Sequence, residues 1–369
     1  MSPPEPMRLA GVCHAIFCFD VGLSIDLDAL ASRLGDASRV RAVRVRRPSP
    51  AWFEYEPAPV GAHLAGDPVG VGAWQTEPGV DLRVYDFGAV AVRYRLGFDA
   101  DPESLVALGV ELYDHAGLLA DARRHVAALV EASADAIERP HVSDHVEDYA
   151  VYAVDSWGDG TTPGDVVDRC RPALARLLQA EAGELAPDRA GRALANAIAY
   201  APTDLAIIDW NAAVLFDHDP EDMLTVLTHA NIELVEVRWL DAQLDELLDG
   251  AHALLARVNR RSIWPGSASS AELRRFAELQ ADSALLFEGV NNAIKLIGDQ
   301  HLARVYDIAS GALNLPQWDA SVLRKLAVAE SVYQKMSDRV STHRLEVLEW
   351  IIIILILVSI VMPFVGLGY

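Results

Sequence analysis

His141, Asp144, His145, Glu147 and Asp148 form the densest grouping of metal-ligating residue types in the chain. Histidines at i and i+4 can share one helical face and hold a divalent ion, with carboxylates completing the shell. The zinc-protease order, with Glu directly after the first His, is absent: Val142 follows His141. Pro140 just before the group favours a loop entering a strand. Two readings stay open for His141, Asp144 and His145: a metal-dependent hydrolase centre, or solvated and capping side chains. The second is the simpler, so neither a bound metal nor a cofactor is expected. Asp217, Asp219, Glu221 and Asp222 resemble the start of a calcium loop, yet Asp222 stands where that loop needs Gly, and Thr228 where it needs Glu. Acids also favour the first turn of a helix, which is the plainer account.

Other chemical strings are weaker. Asp86-Phe87-Gly88 spells the kinase metal triplet, but no Gly-rich phosphate loop or His-Arg-Asp loop accompanies it. Gly158 to Asp165 is Gly-rich and lacks the Gly-Lys-Ser/Thr of a phosphate loop, so it reads as a linker. Arg39, Arg41, Arg44, Arg46 and Arg47 make one basic patch. Arginines so spaced grip phosphates of RNA, nucleotide or lipid, or else charge an edge strand against aggregation. Cys13 and Cys18 lack the spacing of a redox or zinc pair and read as core thiols. No catalytic triad can be assembled from sequence.

The whole chain is acidic: 31 Lys+Arg against 53 Asp+Glu give a net charge of −22 over 369 residues. Such a field repels nucleic acid, which is therefore not expected as a partner. Three cysteines make no disulfide framework and fit a reducing compartment. No secretory or transit signal is expected at the start.

Four regions would carry these residues. Residues 1–157 predict a mixed α/β domain, with an apolar run at His14–Phe19, a helix over Asp26–Leu34 and an exposed strand over Val40–Val45. Leu82–Leu96 reads as two strands, or one strand bent at Gly88. Asp101-Pro102-Glu103 is a helix start, and Asp148–Val154 a strand. Residues 158–262 continue from α/β into helix, with a hairpin near 205–216 turning at Trp210-Asn211. Residues 263–347 predict a helical stalk. Its last seam, Val322, Leu326, Ala329, Tyr333, Met336, Val340, His343, Val347 and Trp350, alternates steps of four and three, as coiled coils do. The seam needs a partner, either the preceding helix folded back or a second copy.

Residues 348–369 predict a transmembrane anchor. Trp350 to Tyr369 contains no charged residue, and roughly 20 apolar residues span the ~30 Å hydrocarbon core. Trp350, Ile351, Ile354, Leu357, Ile360 and Phe364 would face lipid. Arg324, Lys325, Lys335, Arg339 and Arg344 precede the segment, so the positive-inside bias puts the N-terminal bulk in the cytoplasm of a bacterial inner membrane.

Leu348-Glu-Trp-Ile-Ile-Ile-Ile-Leu-Ile356 resembles the C-terminal signature of the "required for meiotic nuclear division" family, and Val84–Val92 its aromatic-Gly-Val strand. Val347 stands where that family usually has Arg. The resemblance covers about residues 80–360 and implies a divergent bacterial member. It further implies an α/β part, a helical part and a final membrane helix, with no enzymatic residues to carry over. The architecture is also similar to magnesium channels of the CorA type, although their Gly-Met-Asn signature is missing.

The expectation is thus an α+β chain with a coiled-coil-like C-terminal region and a single transmembrane helix. It would act as a tail-anchored, non-enzymatic scaffold that touches lipid, an unidentified protein partner and, through the stalk, further copies of itself. The alternatives are a CorA-like ion-transport relative and a metal-dependent hydrolase.

Overall fold

The protein is described by a computed structural model over residues 7–34, 38–39, 57–158, 160–260, 274, 277–278, 281 and 300–365. Its contacts divide it into two units, residues 1–239 with 288–319, and residues 240–287 with 320–369. Among the described residues the strands are β1 (Leu9–Asp20), β2 (Ser24–Ile25), β3 (Ser38–Arg39), β4 (Val60–Leu64), β5 (Gly70–Val71), β6 (Trp74–Gln75), β7 (Val80–Val84), β8 (Ala89–Ala100), β9 (Ile137–Glu138), β10 (Val146–Ser156), β11 (Ala197–Ile198), β12 (Leu205–Ile208) and β13 (Ala212–Phe216). The helices are α1 (Leu27–Arg33), α2 (Pro102–Leu112), α3 (Ala116–Ala132), α4 (Pro163–Leu178), α5 (Pro187–Ala193), α6 (Glu221–Arg260), α7 (Gln300–Ala312) and α8 (Leu315–Val365).

The first unit is built on one sheet, in the order β11-β12-β13-β10-β1-β8-β7-β4-β3. Its centre is the antiparallel trio β10-β1-β8, and β13 adds to β10 in parallel. Alternate residues of β1 serve different layers. Cys13, Ala15, Phe17 and Phe19 join the core shared with α2, α3 and α4. Ile16 and Cys18 join the core shared with α7 and the first turns of α6. A strand covered on both faces has no polar side, so β1 reads as the almost continuous apolar string LAGVCHAIFCFD. Each fully buried Leu, Ile, Val or Phe contributes about 1.5–3 kcal/mol, so this two-faced burial dominates the fold.

Local chemistry sets the element ends. Asp101 caps α2 by accepting from the Glu103 and Ser104 amides at 3.0 Å each, with Pro102 at the first helical position. Thr162 and Asp165 form a reciprocal capping box at the start of α4. Asp86-Phe87-Gly88 lies in the β7–β8 turn, where Gly88 adopts φ +98°. A Cβ there would lie 1.8 Å from the Gly22 carbonyl oxygen, and the Val21 amide donates to the Gly88 carbonyl at 2.8 Å. Only glycine fits that position without strain.

In the second unit the later part of α6 buries Leu240, Leu244 and Leu247, and α8 buries Val322, Ala329 and Val332. Lys325 bridges Asp241 at 2.8 Å and Asp245 at 2.6 Å, while the Ser321 hydroxyl donates to Asp241 at 2.9 Å. Residues 241 and 245 thus meet 321 and 325 in order, so these turns run parallel.

Two expectations are corrected here. The chain is a mixed α/β protein with a large sheet, rather than an α+β chain closed by a transmembrane helix. Among the described residues no helix is long and apolar enough to cross a membrane. The membrane, single-pass and tail-anchored assignments fall with it. The strand expected at Val40–Val45 and most of the stalk helix expected between Leu273 and Ile297 lie outside the described residues.

Candidate functional site

The segment after β9 folds back along the end of β1. The His141 amide donates to the Val21 carbonyl and the Ser143 amide to the Asp20 carbonyl, each at 3.0 Å. This brings the His141 ring over the last residue of β1, with Nε2 lying 2.6 Å from Asp20 Oδ1. Nδ1 lies 3.1 Å from the Arg139 carbonyl oxygen. Trp239 of α6 stacks on the ring, with centroids 5.5 Å apart and planes 27° apart.

Beneath the ring, Asp20 is 0 % exposed and Glu236 of α6 is 2 % exposed. Neither carboxyl has an aligned hydrogen-bond donor among the described residues, and the His141 contact is close but bent. Two buried carboxyls that face one another cannot both be ionised at neutral pH. Burial first, and then the charge of Asp20, pushes the Glu236 carboxyl well above its ordinary range. Burial also raises Asp20, against the pull of His141. The Asp20 contact raises His141, over the opposing effect of burial. The arrangement therefore favours one proton held on the carboxyl pair, with Asp20 facing a histidine whose charged form it favours.

Around this pair, Glu147 of β10 forms an ion pair with Arg238 of α6. Burial pushes Glu147 up to about 7, against that arginine. Cys18, two residues before Asp20 on the same strand face, is fully buried, and its thiol is pushed up by burial and by Glu147, Asp148 and Glu236. Further along α6, the Tyr306 hydroxyl donates to Glu233 at 2.5 Å. The cluster can hold and share protons. The chain's own groups enclose it, and it has no open face for a substrate over Asp20 or Glu236.

The residues singled out in the sequence are placed as follows. His141 joins Asp20 and Trp239, away from the side chains of Asp144 and His145. Asp144 is exposed and 3.7 Å from Arg123, and the His145 amide donates to Ser143 Oγ at 3.0 Å. No group of three or more His, Cys, Asp or Glu poised for a metal occurs among the described residues. Arg39 closes β3, while Arg41, Arg44, Arg46 and Arg47 lie outside the described residues. Trp350, Ile351, Ile354 and Leu357 are exposed on α8. Ile360 and Phe364 belong to the same helix, beyond the described side chains. Asp20 and Glu236 escaped notice because each is one acid in an apolar stretch. Their one signal is that Glu233 and Glu236 break the apolar face of α6.

Comparison with known proteins bears on the first unit. The profile of the family described as "Uncharacterized protein MJ0711, N-terminal domain" matches residues 10–223, more than half of the chain. That span runs from β1 to the first turn of α6, so it includes Asp20 and His141 but not Glu236. The uncharacterized protein MJ0711 of Methanocaldococcus jannaschii is 21% identical over 229 residues, covering 61% of this chain and 68% of that protein. No solved structure matches. Nothing in these findings points to the meiotic nuclear division family, so that resemblance, which rested on one apolar string and one short strand, is withdrawn. The chain belongs to the family defined by the N-terminal domain of MJ0711.

Proposed function

We propose that this protein is a non-enzymatic interaction protein whose α8 arm joins copies of the chain. One observation carries the reading. The four-three seam of α8 begins buried at Val322 and Ala329, and the same spacing continues to Trp350, Ile354 and Leu357, which are 65, 54 and 61 % exposed. A seam that needs burial over its first turns needs it equally over its last. The occupant that offers a matching seam is a second copy of the same helix. Ile351, Ile353 and Leu355 are exposed as well. At 100° per residue these side chains leave no polar stripe, so one neighbouring helix cannot cover them all. An assembly of three or more chains is the expected outcome. The enclosed Asp20–Glu236 pair supports the same reading, because it serves no open substrate site.

Light scattering on the eluting full-length chain tests this. Wild type should elute with the mass of at least three chains at micromolar concentration. The double variant Ile354→Glu/Leu357→Glu should elute as one chain with unchanged far-ultraviolet circular dichroism. A single-chain mass for wild type at every concentration would overturn the reading. So would uptake of the single chain by lipid vesicles in place of self-association.

A further inference from the structure

Of the trio Asp20, Glu236 and His141, the histidine is the member that reaches solvent. Its side chain is 34 % exposed, whereas both acids are buried. Both of its ring nitrogens face oxygen. Nδ1 lies 3.1 Å from the Arg139 carbonyl oxygen, which can only accept. Nε2 lies 2.6 Å from Asp20 Oδ1. A neutral imidazole carries one proton, so it can satisfy one of these contacts and must turn a lone pair towards oxygen at the other. The observed position therefore belongs to a ring with a proton at each contact.

The other charges around the ring are engaged elsewhere. Arg238 of α6 pairs with Glu147 of β10. Arg123 of α3 lies 3.7 Å from Asp144 and donates to the Ser143 carbonyl at 2.9 Å. Glu233, one turn before Glu236, accepts from Tyr306 of α7 at 2.5 Å. Asp319, near the start of α8, acts on Glu233. On β1, burial keeps the proton on the Cys18 thiol. Asp148 follows Glu147 on β10 and so faces the other side of the sheet. Among the described residues, the imidazolium thus answers the single negative charge left on the Asp20–Glu236 pair.

We propose that His141 is a pH-operated latch: with both contacts protonated the ring closes on Asp20 and stacks on Trp239, and on losing one proton it lets go of both and turns to solvent. The latch joins the segment between β9 and β10 to Trp239, the last α6 residue of the first unit. The backbone bonds of that segment to Val21 and Asp20 do not involve the ring, so opening is local. The direction follows from the contacts. Asp20 holds the ring's proton above the ordinary histidine range, against the effect of burial. The closed form is thus fully held below the ordinary value of about 6.5 and is lost as pH rises through the raised one. Nothing in the latch depends on the α8 seam.

Acrylamide quenching of tryptophan emission from the full chain tests it, with Trp239 read in each background as the difference made by adding Trp239→Phe. In wild type Trp239 should be shielded at about pH 6 and accessible at about pH 9, on either side of a raised histidine, with unchanged far-ultraviolet circular dichroism. One proton is released, so the ratio of open to closed form should grow about tenfold per pH unit through the transition. His141→Gln keeps a donor for Asp20 and cannot titrate here, so its Trp239 quenching should not vary with pH. Asp20→Asn keeps the size of the partner and removes its charge. Its midpoint should fall below that of wild type, a shift that a purely packing role for His141 would not produce, and it provides a second route should His141→Gln fail to fold. Glu236→Gln should keep the response, which separates the imidazole from the carboxyl pair as the titrating group. Trp239 quenching that is constant with pH in wild type, persists in His141→Gln, keeps the wild-type midpoint in Asp20→Asn or is lost in Glu236→Gln overturns the proposal. So does a transition shared by the circular dichroism signal, which would be unfolding of the whole chain.

Discussion

Glu236 decides most of what the buried cluster does. Its carboxyl sits against Asp20 with no aligned donor, so the folded state keeps a proton that the unfolded chain releases near pH 4.5. Above that pH the folded state binds more protons than the unfolded state, and stability falls as pH rises towards the folded value. Glu236→Gln keeps an amide donor towards Asp20 and removes the titration. The stability of the variant relative to wild type should therefore increase by up to about 1.4 kcal/mol per pH unit between pH 5 and 7. Urea unfolding of both proteins at pH 5, 6 and 7 measures this, and a pH-independent difference would refute the shared proton. The comparison must be a difference. His14 and His229, lowered by burial to about 3 and about 4, push the absolute curve the other way, losing stability as pH falls below 6.5. At this scale the sequence was half legible. It drew attention to His141 through its spacing from His145, and Pro140 pointed to a loop entering a strand, as observed before β10, but neither showed which residue His141 would meet. The chain there is held extended along β1, so His141 meets Asp20, an acid far away in sequence.

Among the elements, the β7–β8 hairpin is the most tightly specified. Gly88 combines a left-handed backbone with a close approach to Gly22, and the same turn is tied to the residues after β1 by the Val21–Gly88 and Ile25–Asp86 backbone bonds. Gly88→Ala adds both backbone strain and a collision with main chain, which cannot swing aside. A loss of roughly 2 kcal/mol or more is expected, read as a lower urea midpoint with an unchanged slope. An unchanged midpoint would mean that the turn can move away from Gly22. Local rules were legible here: the break at Gly88, the Asp101-Pro102 helix start and the helix expected over Asp26–Leu34 all correspond to observed elements. What the sequence concealed was the sheet order. Parallel pairing of β10 with β13 depends on long-range burial on both faces, and an apolar run does not say which neighbour will cover it.

For the whole molecule, the net charge of −22 sets how copies meet. If the α8 arms associate through apolar side chains, each added chain brings more negative charge into the same volume. That repulsion reaches about 30 Å at 10 mM salt and about 3 Å at 1 M. Hydrophobic contact, in contrast, is weakened little by sodium chloride. Raising salt from 10 to 500 mM should therefore tighten self-association, on the order of tenfold in dissociation constant. Sedimentation across a concentration series at the two salt levels measures it. Ile354→Glu/Leu357→Glu should stay a single chain at both levels, because screening removes repulsion without supplying a contact. Association that weakened with salt would place ion pairs, such as those available to Glu349 and Arg344, ahead of the apolar seam as the force joining the chains.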